Sequence, residues 1–347
     1  MSQNLTTEQV QEYYGKVLES SKDLKTTACC TDDAIPRYIK NILKDIHSEI
    51  MDKFYGCGSP IPLVLEGQTV LDLGCGTGRD VYLASALVGE SGKVIGIDMT
   101  TEQLDVARKH VTYHQEKFGH SKSNVEFLQG YIEDLSAIPS GSVDVVISNC
   151  VINLSPDKPQ VLKEVFRVLK PGGELYFSDV FSDRRVTESL RKDPILYGEC
   201  LSGALYQEDF RREVQKLGCL DYRMVSKRKI DIQNEELEER VGNISFYSIT
   251  VRVFKLDSLE DLCEDYGQVA TYKGTIKESA HQYILDDHHT FQAGKPELVC
   301  GNTASMLEET RLGKHFTIVG KRDTHYGLFD CSGDSSTSGE SDGAACC

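Results

Sequence analysis

The run Thr69-Val70-Leu71-Asp72-Leu73 delivers the chain into Gly74-Cys75-Gly76-Thr77-Gly78, and a helical pattern opens at residue 79. Three glycines at alternate positions between a strand and a helix restrict the fold more than any other feature here. Backbone without Cβ atoms can turn tightly and let a ligand approach, and the following helix N-terminus offers N–H groups that lack intrahelical partners. The spacing is G-x-G-x-G, shorter than the G-x-G-x-x-G loop that receives a dinucleotide pyrophosphate.

The same alternation continues downstream. Thr69–Leu73, Lys93–Ile97, Val125–Leu128, Val143–Ser148 and Glu174–Phe177 are expected strands; segments near 79–88, 101–118 and 159–169 are expected helices. Thr100 and Gln103 form a capping-box pattern before the second helix. Lys170-Pro171-Gly172-Gly173 should turn the chain from the third helix into the next strand. The fold class expected is α/β: a Rossmann-like parallel sheet with helices on both faces.

The flanks divide by pattern. Residues 1–60 read as an amphipathic helical arm, 61–182 as the nucleoside-binding sheet domain, and 183–243 as a polar appendage with a helix near 207–217. Residues 244–330 read as a small C-terminal α+β domain with strands at 245–254, 267–275 and 316–319. The Ser/Gly/Asp-rich segment 331–347, ending in Cys346-Cys347, is expected to be disordered.

A net charge of −16 over 347 residues argues against nucleic acid or an anionic membrane surface as partner, because phosphate binding needs a basic face. No apolar run reaches the roughly 18–20 residues that span a bilayer, and the first residues lack a signal-peptide pattern. A cytoplasmic location is expected. There the twelve cysteines would not form a static disulfide framework, so metal binding or redox chemistry gains weight against simple apolar packing.

Asp98 ends the second strand twenty residues after Gly78, where a carboxylate can accept hydrogen bonds from ribose hydroxyls. Gly130-Tyr131-Ile132-Glu133-Asp134 follows the third strand and suits an adenine edge; Ser148-Asn149-Cys150 ends the fourth, on the side where open α/β sheets bind ligands. With Asp72 just before it, the short loop suits the carboxylate and ribose of S-adenosylmethionine better than a pyrophosphate. The ordered set resembles class I methyltransferases over about 68–180.

Four cysteines bear on the methyl acceptor. Cys150 directly follows Asn149, Cys200 lies in the glycine-flanked segment Tyr197–Leu205, Cys57 precedes the sheet, and Cys29 lies in the arm. Their long gaps do not fit zinc, and spacing alone is equally consistent with four unrelated core cysteines. The motifs Thr27-Ala28-Cys29, Tyr55-Gly56-Cys57-Gly58, Gly78-Arg79-Asp80, Gly96-Ile97-Asp98-Met99-Thr100, Asn149-Cys150-Val151-Ile152-Asn153-Leu154 and Gly198-Glu199-Cys200-Leu201-Ser202-Gly203-Ala204-Leu205-Tyr206 are similar to those of the arsenite S-adenosylmethionine methyltransferase family, from the arm to about residue 250.

That resemblance implies that Cys150 and Cys200 bind trivalent arsenic, with Cys29 and Cys57 supplying a third thiolate and a redox relay, so that 183–243 becomes an arsenic-binding appendage. It implies that Tyr55, Gly74, Gly76, Asp98, Met99, Ile132, Glu133 and Asn149 contact S-adenosylmethionine, with Asp72 and Arg79 beside them. Glu199 is a candidate for an arsenic-bound hydroxyl. The implied partners are arsenite, methylated arsenite, and a thioredoxin- or glutathione-type reductant that reopens the relay disulfide. Thiolates are soft donors suited to arsenic, and a nucleophilic lone pair needs no general base.

Two other functions fit the residues. One is methylation of an organic acceptor with the cysteines incidental; the other is a thiol-based metalloid sensor that consumes no cofactor. Cys30 can substitute for Cys29. Cys75 reads as a space-filler, while Cys219, Cys263 and Cys300 lack partners at informative spacing. Cys346-Cys347 reads as exposed, and Asp286-Asp287-His288-His289 as a solvated loop.

Overall fold

The computed structural model describes residues 35–53, 60–193, 196, 201–232 and 234–330. The expected helix in the first part of the arm and the expected disorder of 331–347 therefore lie outside the described residues. So do Cys29, Cys30, Tyr55, Cys57, Glu199 and Cys200.

The main sheet contains β1 (Thr69–Leu73), β2 (Lys93–Asp98), β3 (Val125–Gln129), β4 (Val143–Asn149), β5 (Leu169–Ser182), β6 (Leu205–Tyr206), β7 (Arg223–Lys229) and β8 (Phe246–Phe254). Its order is β3-β2-β1-β4-β5-β8-β7, with β6 paired to the end of β5. The first five strands run parallel; β8 is antiparallel to β5 and β7 antiparallel to β8. All but the first residue of β1, and β4 almost throughout, are buried, as befits strands covered on both faces. Strand order reverses between β1 and β4, where Leu73 lies beside Ser148. Such a switch point leaves a crevice at the carboxyl ends.

The helices begin where their sequences place caps. Asp157 accepts from Gln160 N and opens the helix Lys158–Val168, whose apolar face of Val161, Leu162, Val165 and Val168 is buried. Thr100 is the N-cap of the helix Thr101–Lys109 but makes no side-chain capping bond; Asp98 instead accepts from Thr100 N at 2.8 Å. The expected capping box is thus replaced by a strand-end carboxylate. The single expected helix at 101–118 is two, Thr101–Lys109 and Val111–Lys117, broken at His110.

Two further expectations change. β5 starts earlier than expected, and the register jumps from Val143↔Leu169 to Val145↔Glu174. The Pro171-Gly172-Gly173 turn is thus accommodated as a bulge within one strand. The appendage, for which only a helix near 207–217 is expected, also contributes β7, an edge strand of sequence Arg-Met-Val-Ser-Lys-Arg-Lys. Charge on an edge blocks further pairing and hides the alternating pattern.

The strand expected at 245–254 joins the main sheet, so the division at 243/244 falls inside that sheet. The smaller sheets follow. β10 (Gln268–Tyr272) is flanked by β13 (Pro296–Val299) and β14 (Phe316–Val319); β11 (Gln282–Ile284) pairs with β12 (Thr290–Gln292), and β9 (Glu264–Asp265) with β15 (Gly327–Leu328). Tyr272 and Phe316 of these sheets, with Leu307 of the helix Gly301–Glu308, belong to one continuous cluster with Leu71, Leu175 and Phe254.

A buried ion cluster ties these parts together. Glu174, fully buried on β5, accepts from Arg252 Nε of β8 at 2.7 Å and meets Arg311 Nη1 at 2.5 Å. Arg252 also donates to Tyr283 Oη and to the Leu285 carbonyl, while Arg311 donates to the Leu63 and Val64 carbonyls. Removing one member of such a set strands buried charge. Glu174→Ala is expected to destabilise the fold by about 3–5 kcal/mol in urea denaturation. A loss below about 1 kcal/mol would show that solvent already compensates these guanidinium groups.

Candidate active site

Ten residues singled out from the sequence line one cleft over the β1/β4 switch point: Asp72, Gly74, Gly76, Arg79, Asp98, Met99, Ile132, Glu133, Asn149 and Cys150. The other four, Tyr55, Cys29, Cys57 and Cys200, lie outside the described residues, as does Glu199.

The floor is the glycine loop. Gly74, Gly76 and Gly78 all have positive φ, the region where a side chain is strained. Cys75 N donates to the Ile97 carbonyl of β2 at 3.0 Å, and Gly76 N donates to Asp98 Oδ2 at 2.8 Å. Asp98 therefore clamps the loop with one oxygen and the next helix with the other. The Thr100 side chain and the Met99 backbone also hydrogen-bond this carboxylate. Cys75 also lines the cleft, and its Sγ packs toward β2, 2.8 Å from where a Cβ at Gly96 would stand.

The wall is the tip of β4. Asn149 Nδ2 donates to Asp80 Oδ2 at 3.0 Å, and Asp80 pairs with Arg79 at 3.3 Å. Cys150 follows with φ +56, a left-handed conformation rare outside glycine and asparagine. Non-glycine residues in this region concentrate at functional sites, at a cost of order 1–3 kcal/mol. Cys150 N donates to the Ser178 carbonyl at 2.8 Å, and the residue is disulfide-bonded.

The chain then turns through Ile152–Leu154, a turn that a buried carboxylate holds. Asp179 accepts from Asn153 N at 3.1 Å and Asn153 Nδ2 at 2.7 Å. Burial pushes Asp179 up to about 7, against these hydrogen bonds and the Lys158 ammonium. Ser155 Oγ completes the turn by donating to Glu133.

The floor and wall fit because Gly74 has no side chain. A Cβ there would lie 2.4 Å and 2.6 Å from the two γ-methyls of Val151. Leu201 and Ala204 of the appendage share an apolar cluster with Cys150, and a Cβ on Gly203 would lie 2.3 Å from the Asn153 carbonyl oxygen. The appendage therefore presses directly on the turn after Cys150.

Electrostatically the cleft is acidic. Asp72, Asp80 and Asp98 all line it, and Asp72 and Asp80 are almost wholly buried. Burial, then the nearby carboxylates of Asp80 and Asp98, push the Asp72 carboxyl well above its ordinary range; burial also raises Asp98. Asp80 is read from the sequence only as part of the Gly78-Arg79-Asp80 motif and not as a site residue, although its position in the first turn after the glycine loop is a usable signal. The Gly74–Val151 contact was also missed, because it joins segments far apart in sequence.

Gly74→Ala is expected to weaken S-adenosylmethionine binding by more than about tenfold through combined overpacking and backbone strain. Adding Val151→Ala removes only the overpacking, so calorimetry should find partial recovery. Full recovery would exclude backbone strain as a cause.

Comparisons with known proteins agree with this geometry. Residues 65–218 match the model of a methyltransferase domain, and residues 266–342 match that of the arsenite methyltransferase C-terminal domain. The chain is 52% identical to an arsenite methyltransferase of Aquipseudomonas alcaligenes over 94% of each chain. It is 46% identical to the arsenite methyltransferase of Mus musculus over 88% of this chain and 82% of that one. A crystal structure of an arsenic(III) S-adenosylmethionine methyltransferase from Chlamydomonas reinhardtii is 54% identical, with a TM-score of 0.83, and covers 86% of this chain and 100% of that one. With relatives of this identity matched along nearly their whole length, the chain belongs to the arsenite methyltransferase family.

Proposed function

We propose that this chain is an S-adenosylmethionine-dependent arsenite methyltransferase, in which cysteine thiolates hold trivalent arsenic beside the methyl donor. The carrying observation is the seat of Cys150: left-handed, at the tip of β4, immediately after Asn149 and lining the same cleft as the glycine loop and Asp98.

The acids of the cleft support the donor assignment. Three carboxylates gathered where solvent is largely excluded suit a ligand carrying an α-ammonium and a sulfonium charge. When bound, S-adenosylmethionine supplies a methyl group activated by that sulfonium. In this reading Asp98 would take the ribose hydroxyls, and Met99, Ile132 and Glu133, which line the same cleft, would hold the adenine. Asn149, anchored by Asp80, fixes the donor side of the cleft.

On the acceptor side, Cys150 and Cys200 bind the metalloid in this reading, Glu199 meets the remaining arsenic-bound hydroxyl, and Cys57 then adds the third thiolate as that hydroxyl leaves with the thiol proton as water. The packing of Leu201, Gly203 and Ala204 around Cys150 and Asn153 supports a role for the appendage here. Three As–S bonds leave the arsenic lone pair free to attack the methyl carbon as the C–S bond of the donor breaks. The residues position the two partners and move no proton.

Transfer takes arsenic from the trivalent to the pentavalent state. Two electrons from a cysteine pair, assigned here to Cys29 and Cys57, return it, and the resulting disulfide is reopened by a thioredoxin- or glutathione-type thiol. Capture of arsenic likewise needs the reduced thiol of Cys150. Among the described residues no helix is long and apolar enough to cross a membrane.

Cys150→Ser should abolish formation of methylated arsenicals from arsenite, excess thiol and S-adenosylmethionine, followed by chromatography, while cofactor affinity stays within about threefold. Arsenical products at wild-type rate from this variant would overturn the acceptor assignment. A cationic ligand favours the ionised form of Asp72, so it lowers that raised pKa and binds most tightly above it. Affinity for S-adenosylmethionine should therefore fall as pH drops through the raised pKa of Asp72. Affinity for uncharged-sulfur S-adenosylhomocysteine should fall less, and Asp72→Asn should flatten the difference. Equal pH slopes for both ligands in calorimetry would remove Asp72 from charge recognition.

A further inference from the structure

Cys75, Cys219, Cys263 and Cys300 are reduced, buried thiols, yet their surroundings differ sharply. Burial pushes Cys75 well up and Cys219 up to about 12, which leaves both as inert core thiols. Cys300 has the opposite environment although it is also fully buried. It is the N-cap of the helix Gly301–Glu308, and its Sγ accepts from Thr303 N at 3.4 Å. Thr303 Oγ1 lies 3.3 Å from that sulfur and Arg223 Nη2 lies 3.9 Å away.

A fourth contact decides its chemistry. The Cys263 thiol hydrogen-bonds to Cys300; that bond, with Arg223 and Thr303, outweighs burial and holds Cys300 well below the usual thiol range. Arg223 is fixed in place by Asp221 at 2.7 Å and Asp286 at 3.2 Å, with His289 Nδ1 at 3.4 Å. The pair is thus a stabilised thiolate with a second thiol in contact, the arrangement of a dithiol primed for oxidation. Neither sulfur lines the cleft that holds Cys150.

We propose that Cys263 and Cys300 are a second redox-active dithiol, separate from the methyl-transfer cleft, which a peroxide-class oxidant converts to a disulfide. The Cys300 thiolate attacks one peroxide oxygen, the O–O bond breaks, and hydroxide leaves a sulfenic acid on Cys300. The Cys263 sulfur then attacks that sulfur, the S–O bond breaks, and its thiol proton leaves with the oxygen as water. Two electrons pass from the sulfurs to the peroxide. The new bond ties the segment entering β9 to the start of the helix Gly301–Glu308. It also removes the thiolate charge beside Arg223, where β7 of the main sheet meets the C-terminal sheets.

The test uses the full chain, fully reduced, freed of reductant and exposed to stoichiometric hydrogen peroxide. Remaining thiols are alkylated, and the protein is digested without reduction for mass spectrometry. The expected product is a Cys263–Cys300 linked peptide, with Cys219 recovered as an alkylated thiol. In Cys263→Ser, Cys300 should instead yield a sulfenic acid captured by dimedone, at least about tenfold faster than Cys219 in the same molecule. Absence of the linked peptide from wild type after Cys150 has been oxidised would overturn the proposal. So would equal reactivity of Cys300 and Cys219 in the native wild-type chain.

Discussion

The carboxylate of Glu174, wholly buried and shared between Arg252 and Arg311, is the constraint on which the rest of the molecule is assembled. It stands where β5 leaves the Pro171-Gly172-Gly173 bulge, so it fixes the register of the central strand at its entry. Through Arg252 it orients β8 and the Tyr283–Leu285 segment; through Arg311 it gathers the Leu63–Val64 approach to β1. Apolar packing alone would tolerate small slips between these elements. A charge with several obligatory partners does not, because each slip would leave a buried ion without compensation. The C-terminal sheets thereby become part of the sheet domain's support.

Register at β5 carries through to the cleft. β4 lies between β5 and β1, and its tip reaches the glycine loop only if both pairings hold. There, the tolerance is set by the space that Gly74 leaves for Val151. Asp179, also on β5, bonds Asn153 and fixes the turn after Cys150. One strand therefore carries both the structural carboxylate at its start and the carboxylate that shapes the active-site turn near its end.

The parts of this arrangement legible in the sequence are local ones. The glycine loop, Asp98 and Asn149-Cys150 are each a strand end and its next few residues, and the period-2 and helical patterns around them are strong. Elements whose placement is tertiary were misread or missed. β7 carries lysine and arginine because it is an edge, which erased its alternation. β8 was assigned to a separate domain because sequence order says nothing of a strand returning to lie beside β5. Asp80 gains its importance only by meeting Asn149 across the cleft. Cys300 reads as an isolated thiol in sequence; Thr303 three residues on is local, but Cys263 and Arg223 reach it only through the fold.

The charge of the chain ties these levels together. An overall charge of −16 argues against polyanions as partners, but it does not explain why three carboxylates should face one another in a cleft. Burial, and then repulsion from Asp80 and Asp98, raise Asp72, an unfavourable arrangement for an empty protein. It becomes favourable when a cation enters, because a single positive charge then relieves several repulsions at once. Under the proposed function, an acceptor that is a soft metalloid held by thiolates places its own demand on the same site: a nucleophilic lone pair with no proton to remove. Acids to attract the donor and sulfurs to present the acceptor therefore divide the work. In that reading, the left-handed turn at Cys150 is where the two sets of groups would come within reach of each other.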